Sequence, residues 1–164
     1  MNIDRGRAAQ DATYATAAKI NADLVFLQEP NKAISSRQGL VMDKEGDVAM
    51  ICRNKSCGII AHKSYNGYIK VIFENWVAYN VYISPNISVQ VFKQSIDEIM
   101  EGIRREGKDV IIVGDLNAKS PLWGSNHTDE KWIASLDMEV KNDGCVPTFV
   151  REIAEPTQIY YLRY

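Results

Sequence analysis

The chain has 164 residues, 46% hydrophobic and 24% charged, a length and balance that suit a single domain over residues 1–164 and exclude a disordered, collagen-like or coiled-coil chain. Nineteen Lys and Arg against 21 Asp and Glu leave a net charge of -2, so no molecule-wide positive field attracts a polyanion and any nucleic-acid contact must be local. The apolar runs fall far short of the roughly 20 residues that cross a bilayer, and no basic segment leads into an apolar one at the start, so neither membrane insertion nor secretion is expected.

Residues 7–20 are rich in alanine, with Ala8, Ala12, Ala15 and Ile20 near one face, which predicts a first helix broken at Asn21-Ala22-Asp23. The run Leu24-Val25-Phe26-Leu27, stopped by Gln28-Glu29-Pro30, reads as a buried central strand, since Pro30 has no N–H for pairing. Short β candidates follow at Asp47–Arg53, Gly58–His62, Tyr68–Glu74 and Val77–Ser84, separated by turn residues such as Asn66-Gly67. They predict an antiparallel meander.

Over 32–63, Lys32, Arg37, Lys44, Arg53, Lys55 and Lys63 outnumber Asp43, Glu45 and Asp47 by three, a weak basic bias that a solvated loop region explains as well as a binding surface does. Cys52, Cys57 and Cys145 are odd in number and lack paired C-x-x-C spacing. That predicts reduced, buried thiols without a metal, in an intracellular, nuclear or cytoplasmic protein. After Pro85-Asn86, Ser88 can cap a helix in which Val89, Phe92, Ile96, Ile99 and Ile103 recur every three or four residues up to Gly107. Asp109–Val113 is a second apolar strand and delivers Gly114-Asp115-Leu116-Asn117 at its end. Strands alternating with helices beside a meander predict helices covering a mixed sheet or a pair of packed sheets.

Ligands in open α/β sheets collect beyond the carboxyl ends of the strands, where Glu29 and Asp115 both stand. If the two strands are neighbours, the acids converge and can hold a hard cation such as Mg²⁺. Alone, each acid reads first as a solvated strand end. Asn117, two residues after Asp115, places an amide on the same side as the carboxylate. Tyr82 and Asn86 add a phenol and an amide at a further strand end, where packing on the sheet and a turn explain them equally well.

Together Asn2-Ile3-Asp4, Leu27-Gln28-Glu29-Pro30, Tyr82-Ile83-Ser84-Pro85-Asn86 and Gly114-Asp115-Leu116-Asn117-Ala118 stand in the order found in the endonuclease/exonuclease/phosphatase superfamily, which the chain resembles. Arg7-Ala8-Ala9-Gln10-Asp11, Ser120-Pro121-Leu122-Trp123-Gly124-Ser125 and Asn142-Asp143-Gly144 leading to Pro147-Thr148-Phe149 are similar to the endonuclease domain of non-LTR retrotransposon polyproteins. The resemblance implies an α/β/β/α sandwich of four layers, DNase I-like and incomplete at the C-terminus, with DNA as partner and Mg²⁺ as cofactor. Cleavage would proceed by in-line attack of water on phosphorus. By the same resemblance Glu29 ligates the metal, Asn2 and Asp4 support metal or phosphate binding, Tyr82 and Asn86 contact the phosphate, and Asp115 with Asn117 orients the attacking water.

The sequence also departs from that family. The family's late Ser-Asp-His segment has no counterpart, neither His62 nor His127 matches the catalytic histidine, and Tyr160 stands where an aspartate is expected. Cleavage is therefore expected to be weak or absent. A catalytically dead relic that keeps metal or DNA binding, and a phosphatase of the same superfamily, are the alternatives. The apolar stretch Ile159–Tyr164 is expected to fill a gap in the sheet or to pair with a second molecule.

Overall fold

The computed structural model describes residues 1–34, 39–53, 58–118, 126, 128, 130–131, 148–150 and 158–162. The alanine-rich segment forms α1 (Arg7–Lys19), which ends where Asn21 takes a left-handed φ of 53° and Ala22 donates its N–H back to the Ala17 carbonyl at 2.9 Å. The chain then enters β1 (Leu24–Gln28), β2 (Leu40–Met42) and β3 (Val48–Cys52), a three-stranded antiparallel sheet ordered β1-β3-β2. Here β3 is the central strand and β1 lies at the flank, contrary to the sequence expectation. β1 is buried nonetheless, because its open side receives the N-terminal residues through a parallel bridge from Asn2 to Gln28.

A second sheet holds β4 (Ile59–Ser64), β5 (Tyr68–Phe73), β6 (Trp76–Tyr82), β7 (Asp109–Asp115), β9 (Gln158–Leu162) and β8 (Thr148–Val150), in that spatial order. The expected meander thus starts at β4 and not at β3, which belongs to the other sheet. The terminal segment fills a position inside this sheet, because β9 pairs antiparallel with β7 on one side and β8 on the other.

Between β6 and β7 the chain crosses through α2 (Val89–Arg104), capped by the Ser88 hydroxyl, which accepts from the Val91 N–H at 3.3 Å. Phe92, Ile96, Ile99, Met100 and Ile103 form its buried stripe, each contributing about 1.5–3 kcal/mol by leaving water. They pack on Val77, Tyr79, Val81 and Val110 of the large sheet. On the far side α1 and Tyr14 cover Val25, Leu27, Ala49 and Ile51 of the small sheet. Between the sheets lie Met50, Ile69, Val71, Phe73, Ala78 and Phe26. The order is helix, sheet, sheet, helix, a four-layer α/β/β/α sandwich.

One polar network crosses that central layer. Asn80 on β6 donates to the Leu27 and Ala49 carbonyls at 3.2 and 2.9 Å and accepts from Gln28 Nε2 at 2.6 Å. Both side chains are almost fully buried.

Two further expectations are corrected. Cys52 is disulfide-bonded and not a reduced core thiol, for it stands half-buried at the end of β3, where the chain leaves the sheet. Cys57 and Cys145 lie outside the described residues, and the cysteines no longer argue for an intracellular location. Within the basic stretch 32–63, Arg53 turns inward to the Ala17 and Ala22 carbonyls at the end of α1. That stretch is thus partly structural. Among the described residues no helix is long and apolar enough to cross a membrane.

Removing the inter-sheet network should be costly. Asn80→Ala removes one hydrogen bond from each of two buried carbonyls and leaves the Gln28 amide without its partner, so the urea midpoint should fall by the equivalent of about 2–4 kcal/mol. An unchanged midpoint would show that the network does not hold the sheets together.

Candidate active site

Parallel pairing of β6 with β7 puts Tyr82 directly beside Asp115 at the carboxyl ends of both strands. Close approach there requires Gly114, because a Cβ at that position would collide with the Val81 carbonyl. From the other sheet Glu29 follows β1 with a left-handed φ of 49°, fixed by its N–H on the Asp47 carbonyl at 2.7 Å and by the Arg5 N–H on its own carbonyl at 2.8 Å.

Asn2 joins the two sheets. Its Nδ2 donates to Glu29 Oε2 and to Asp115 Oδ2, each at 3.0 Å. The Tyr82 phenol is pushed well above its ordinary value near 10, first by burial and then by the neighbouring Glu29 and Asp115. It is therefore a neutral O–H donor at physiological pH.

The remaining residues assigned from the sequence are less central. Asn117, with φ 51°, donates its backbone N–H to Asp115 Oδ1 at 3.0 Å and its side-chain amide to the Ile83 carbonyl at 2.9 Å. The amide nitrogen thus fixes the loop, leaving the side-chain oxygen as the atom able to meet a ligand. Asp4 donates its N–H to Asn2 Oδ1 at 3.0 Å while the residue itself is exposed. Asn86 lies exposed in the turn after β6, with its N–H on Ser84 Oγ at 3.3 Å. His62 is exposed on β4; His127 and Ser120–Ser125 lie outside the described residues.

Three residues that sequence reasoning passed over complete the cleft. Asp47 accepts from Arg5 Nη2 at 2.6 Å. Asp43, 6% exposed, accepts backbone N–H groups from Glu45, Asp47, Val48 and Gly67 at 2.7–3.2 Å. Its carboxylate shapes the 43–47 loop that carries Asp47 and ties that loop to the Asn66-Gly67 hairpin, whose Gly67 carbonyl receives the Tyr82 N–H at 2.8 Å. The segment Asp43-Lys44-Glu45-Gly46-Asp47 shows turn chemistry, but nothing local in it points to a site. Next to the cleft a cavity of about 200 Å³ is lined by Tyr82, Ser84, Gly67, Ile87, Val91 and Glu98.

Glu29, Asp47 and Asp115 bring carboxylates to the cleft and Arg5 a guanidinium on Asp47, so acid outnumbers base there. All the acidic donors are hard oxygens. Glu29 and Asp115 present hard oxygens of the kind a divalent cation such as Mg²⁺ takes from one or two carboxylates while keeping several waters. Among the described residues no group of three or more His, Cys, Asp or Glu is placed to hold a metal ion.

Residues 76–151, from β6 through the Asp115 strand into β8, match the model of a family described as "Endonuclease-reverse transcriptase". The structure is similar over 99% of this chain to the endonuclease domain of TRAS1, a telomere-specific non-LTR retrotransposon, covering 82% of that chain at 18% identity with a TM-score of 0.65. The chain has the endonuclease/exonuclease/phosphatase fold. A humanized D. rerio TDP2 carrying 14 mutations shares the fold, with a TM-score of 0.60 at 13% identity over 99% of this chain and 81% of that one. No curated protein sequence matches the chain. Within this superfamily fold the chain resembles non-LTR retrotransposon endonuclease domains.

Two outcomes test the site's construction. Asp43→Asn trades two acceptor oxygens for one and should destabilise by about 2–4 kcal/mol, since several N–H groups lose their partner. Tyr68, Tyr79 and Tyr82 all have phenol values raised on folding, burial being the first cause. A raised value contributes stability that is full below the unfolded value near 10 and is lost as pH rises through the folded values. Urea midpoints should therefore hold to about pH 10 and fall above it, with the phenolate absorbance of these three residues appearing only as the fold is lost.

Proposed function

We propose that this domain binds DNA and hydrolyses a phosphodiester bond, slowly, with Mg²⁺ held at Glu29. The observation that carries the reading is the single Asn2 amide hydrogen-bonded to both Glu29 and Asp115, with Tyr82 in register beside Asp115. This brings a metal-type carboxylate, a second acid and two neutral donors to one point.

When bound, the metal polarises the phosphoryl oxygen and offsets developing negative charge. The protein's own groups do the rest. The Asp115 carboxylate accepts a proton from the attacking water, the Asn117 side-chain oxygen helps hold that water, and the Tyr82 O–H donates to a non-bridging phosphate oxygen, where charge grows. Asn2 keeps the two acids at fixed separation, while Asp4 and Asn86 lie at the rim where the flanking backbone would pass. Among the described residues no histidine stands at the cleft to assist proton transfer, and loss of such a group lowers the rate of a complete acid–base site by about 10²-fold to 10⁴-fold.

A binding-only domain is the second reading, favoured by the place of His62, exposed on β4. A plasmid-nicking assay separates the two. Nicking should be slow, require Mg²⁺, stop with EDTA, and be lost in Glu29→Gln and Asp115→Asn. No nicking alongside cation-dependent DNA binding would establish the second reading, and EDTA-resistant nicking would overturn the metal assignment.

A further inference from the structure

The cleft poses an electrostatic problem for an anionic substrate, for three carboxylates line it and the whole chain is itself at -2. Arg5 brings a guanidinium to Asp47, and its charge is felt at Glu29. Its Nη2 rests on Asp47 Oδ1 at 2.6 Å, and the side chain remains 42% exposed. The contact uses one nitrogen, and among the described residues the guanidinium makes no other hydrogen bond. Arg carries five N–H donors in a planar fork suited to phosphate oxygens.

The backbone that aims this side chain is strained. Asp4 and Arg5 are successive non-glycine residues with φ of 45° and 54°. They are held there by the Asp4 N–H on Asn2 Oδ1 at 3.0 Å, the Arg5 N–H on the Glu29 carbonyl at 2.8 Å and Asn31 Nδ2 on the Arg5 carbonyl at 2.8 Å. Two adjacent left-handed residues are costly and persist only where the surroundings over-determine them. Their effect is to turn Arg5 back over the cleft. Glu29 and Tyr82 both feel its charge, and both help to hold the guanidinium value up, after Asp47.

We propose that Arg5 is a substrate-phosphate contact: Asp47 holds the guanidinium over the cleft by one nitrogen, and the unused nitrogens take a non-bridging oxygen of a phosphodiester. Asp47 then has two effects. It orders Arg5 in advance, and it competes with the phosphate for it. The inference rests on the phosphodiester reading of the cleft and adds the residue that offsets its negative charge on the substrate side.

Binding of a short DNA duplex to the full chain, with Ca²⁺ in place of Mg²⁺ to suppress cleavage, tests this across a range of salt. Arg5→Gln should weaken binding and lower the slope of log affinity against log salt by about one phosphate contact. Arg104→Gln, at the end of α2 beside Glu101, should leave the slope unchanged. Asp47→Asn should tighten binding severalfold in the wild-type background but not in the Arg5→Gln background, whereas a general charge effect would give equal gains in both. Equal gains, or an unaltered slope in Arg5→Gln, would overturn the proposal.

A second arm uses dimethyl phosphate as probe and follows the Arg5 Nε–H resonance, with circular dichroism confirming that each variant is folded. A shift that Arg5→Gln abolishes, in a protein that fails to bind DNA, would keep the clamp and remove the DNA reading. DNA binding with no Arg5 shift would do the reverse, and the absence of both would overturn the two together.

Discussion

A single amide holds two like charges together at the mouth of the inter-sheet cleft. Glu29 and Asp115 come from different sheets and would repel one another with nothing between them. Asn2 Nδ2 stands 3.0 Å from each, which is possible only if the sheets are stacked at a fixed stagger. That stagger is set one layer below by Asn80 and Gln28, which face the sheet interface on the strands that end in Tyr82 and lead to Glu29. Apolar contacts such as Met50 on Val71 tolerate sliding, whereas hydrogen bonds to two named carbonyls do not. Gln28 Oε1 is the exception, a buried acceptor with no partner. Its cost is borne within a network whose effect is registration more than net stability.

Strain is concentrated at the same place. Among the described residues five non-glycine positions have positive φ, and of these Asp4, Arg5, Glu29 and Asn117 belong to the cleft. Such conformations cost of order 1–3 kcal/mol each. These four are pinned by hydrogen bonds, Glu29 to Arg5 and Asp47, Asn117 to Ile83 and to Asp115 two residues before it, Arg5 to Asn31, and Asp4 to Asn2 two residues before it. Rigid strands deliver side chains only along their own faces. Turning four residues backward at the strand ends is how side chains from different segments are brought to a common point.

What could be read from the sequence follows from the range of the forces involved. The α2 stripe was legible because a buried face repeats every three or four residues, and the ends of β1 and β7 were legible because apolar runs stop at polar residues. Glu29 and Asp115 could be singled out by that position, and the ordered motifs pointed to Asn2, Asp4, Tyr82, Asn86 and Asn117. The membership of β3 was not legible, since alternation marks a strand but not its partner. Arg5, Asp43 and Asp47 escaped for a related reason. Asp43 looks like any turn aspartate until Gly67, 24 residues on, is seen to donate to it, and Arg5 looks like a solvated charge until the Asp43 loop brings Asp47 over it.

The charge of the cleft ties these features to the proposed chemistry. Two hydrogen bonds from one neutral amide order the carboxylates but cannot cancel them, so the site keeps an excess of negative charge. On the proposed reading a divalent cation with hard-oxygen preference offsets that charge. The remaining attraction for a phosphodiester then comes from oriented groups: the Tyr82 O–H, kept neutral by burial and by Glu29, and the guanidinium of Arg5. On that reading, in a chain of net charge -2, cation binding and substrate binding form one linked equilibrium, because a bound cation removes repulsion that opposes the phosphodiester.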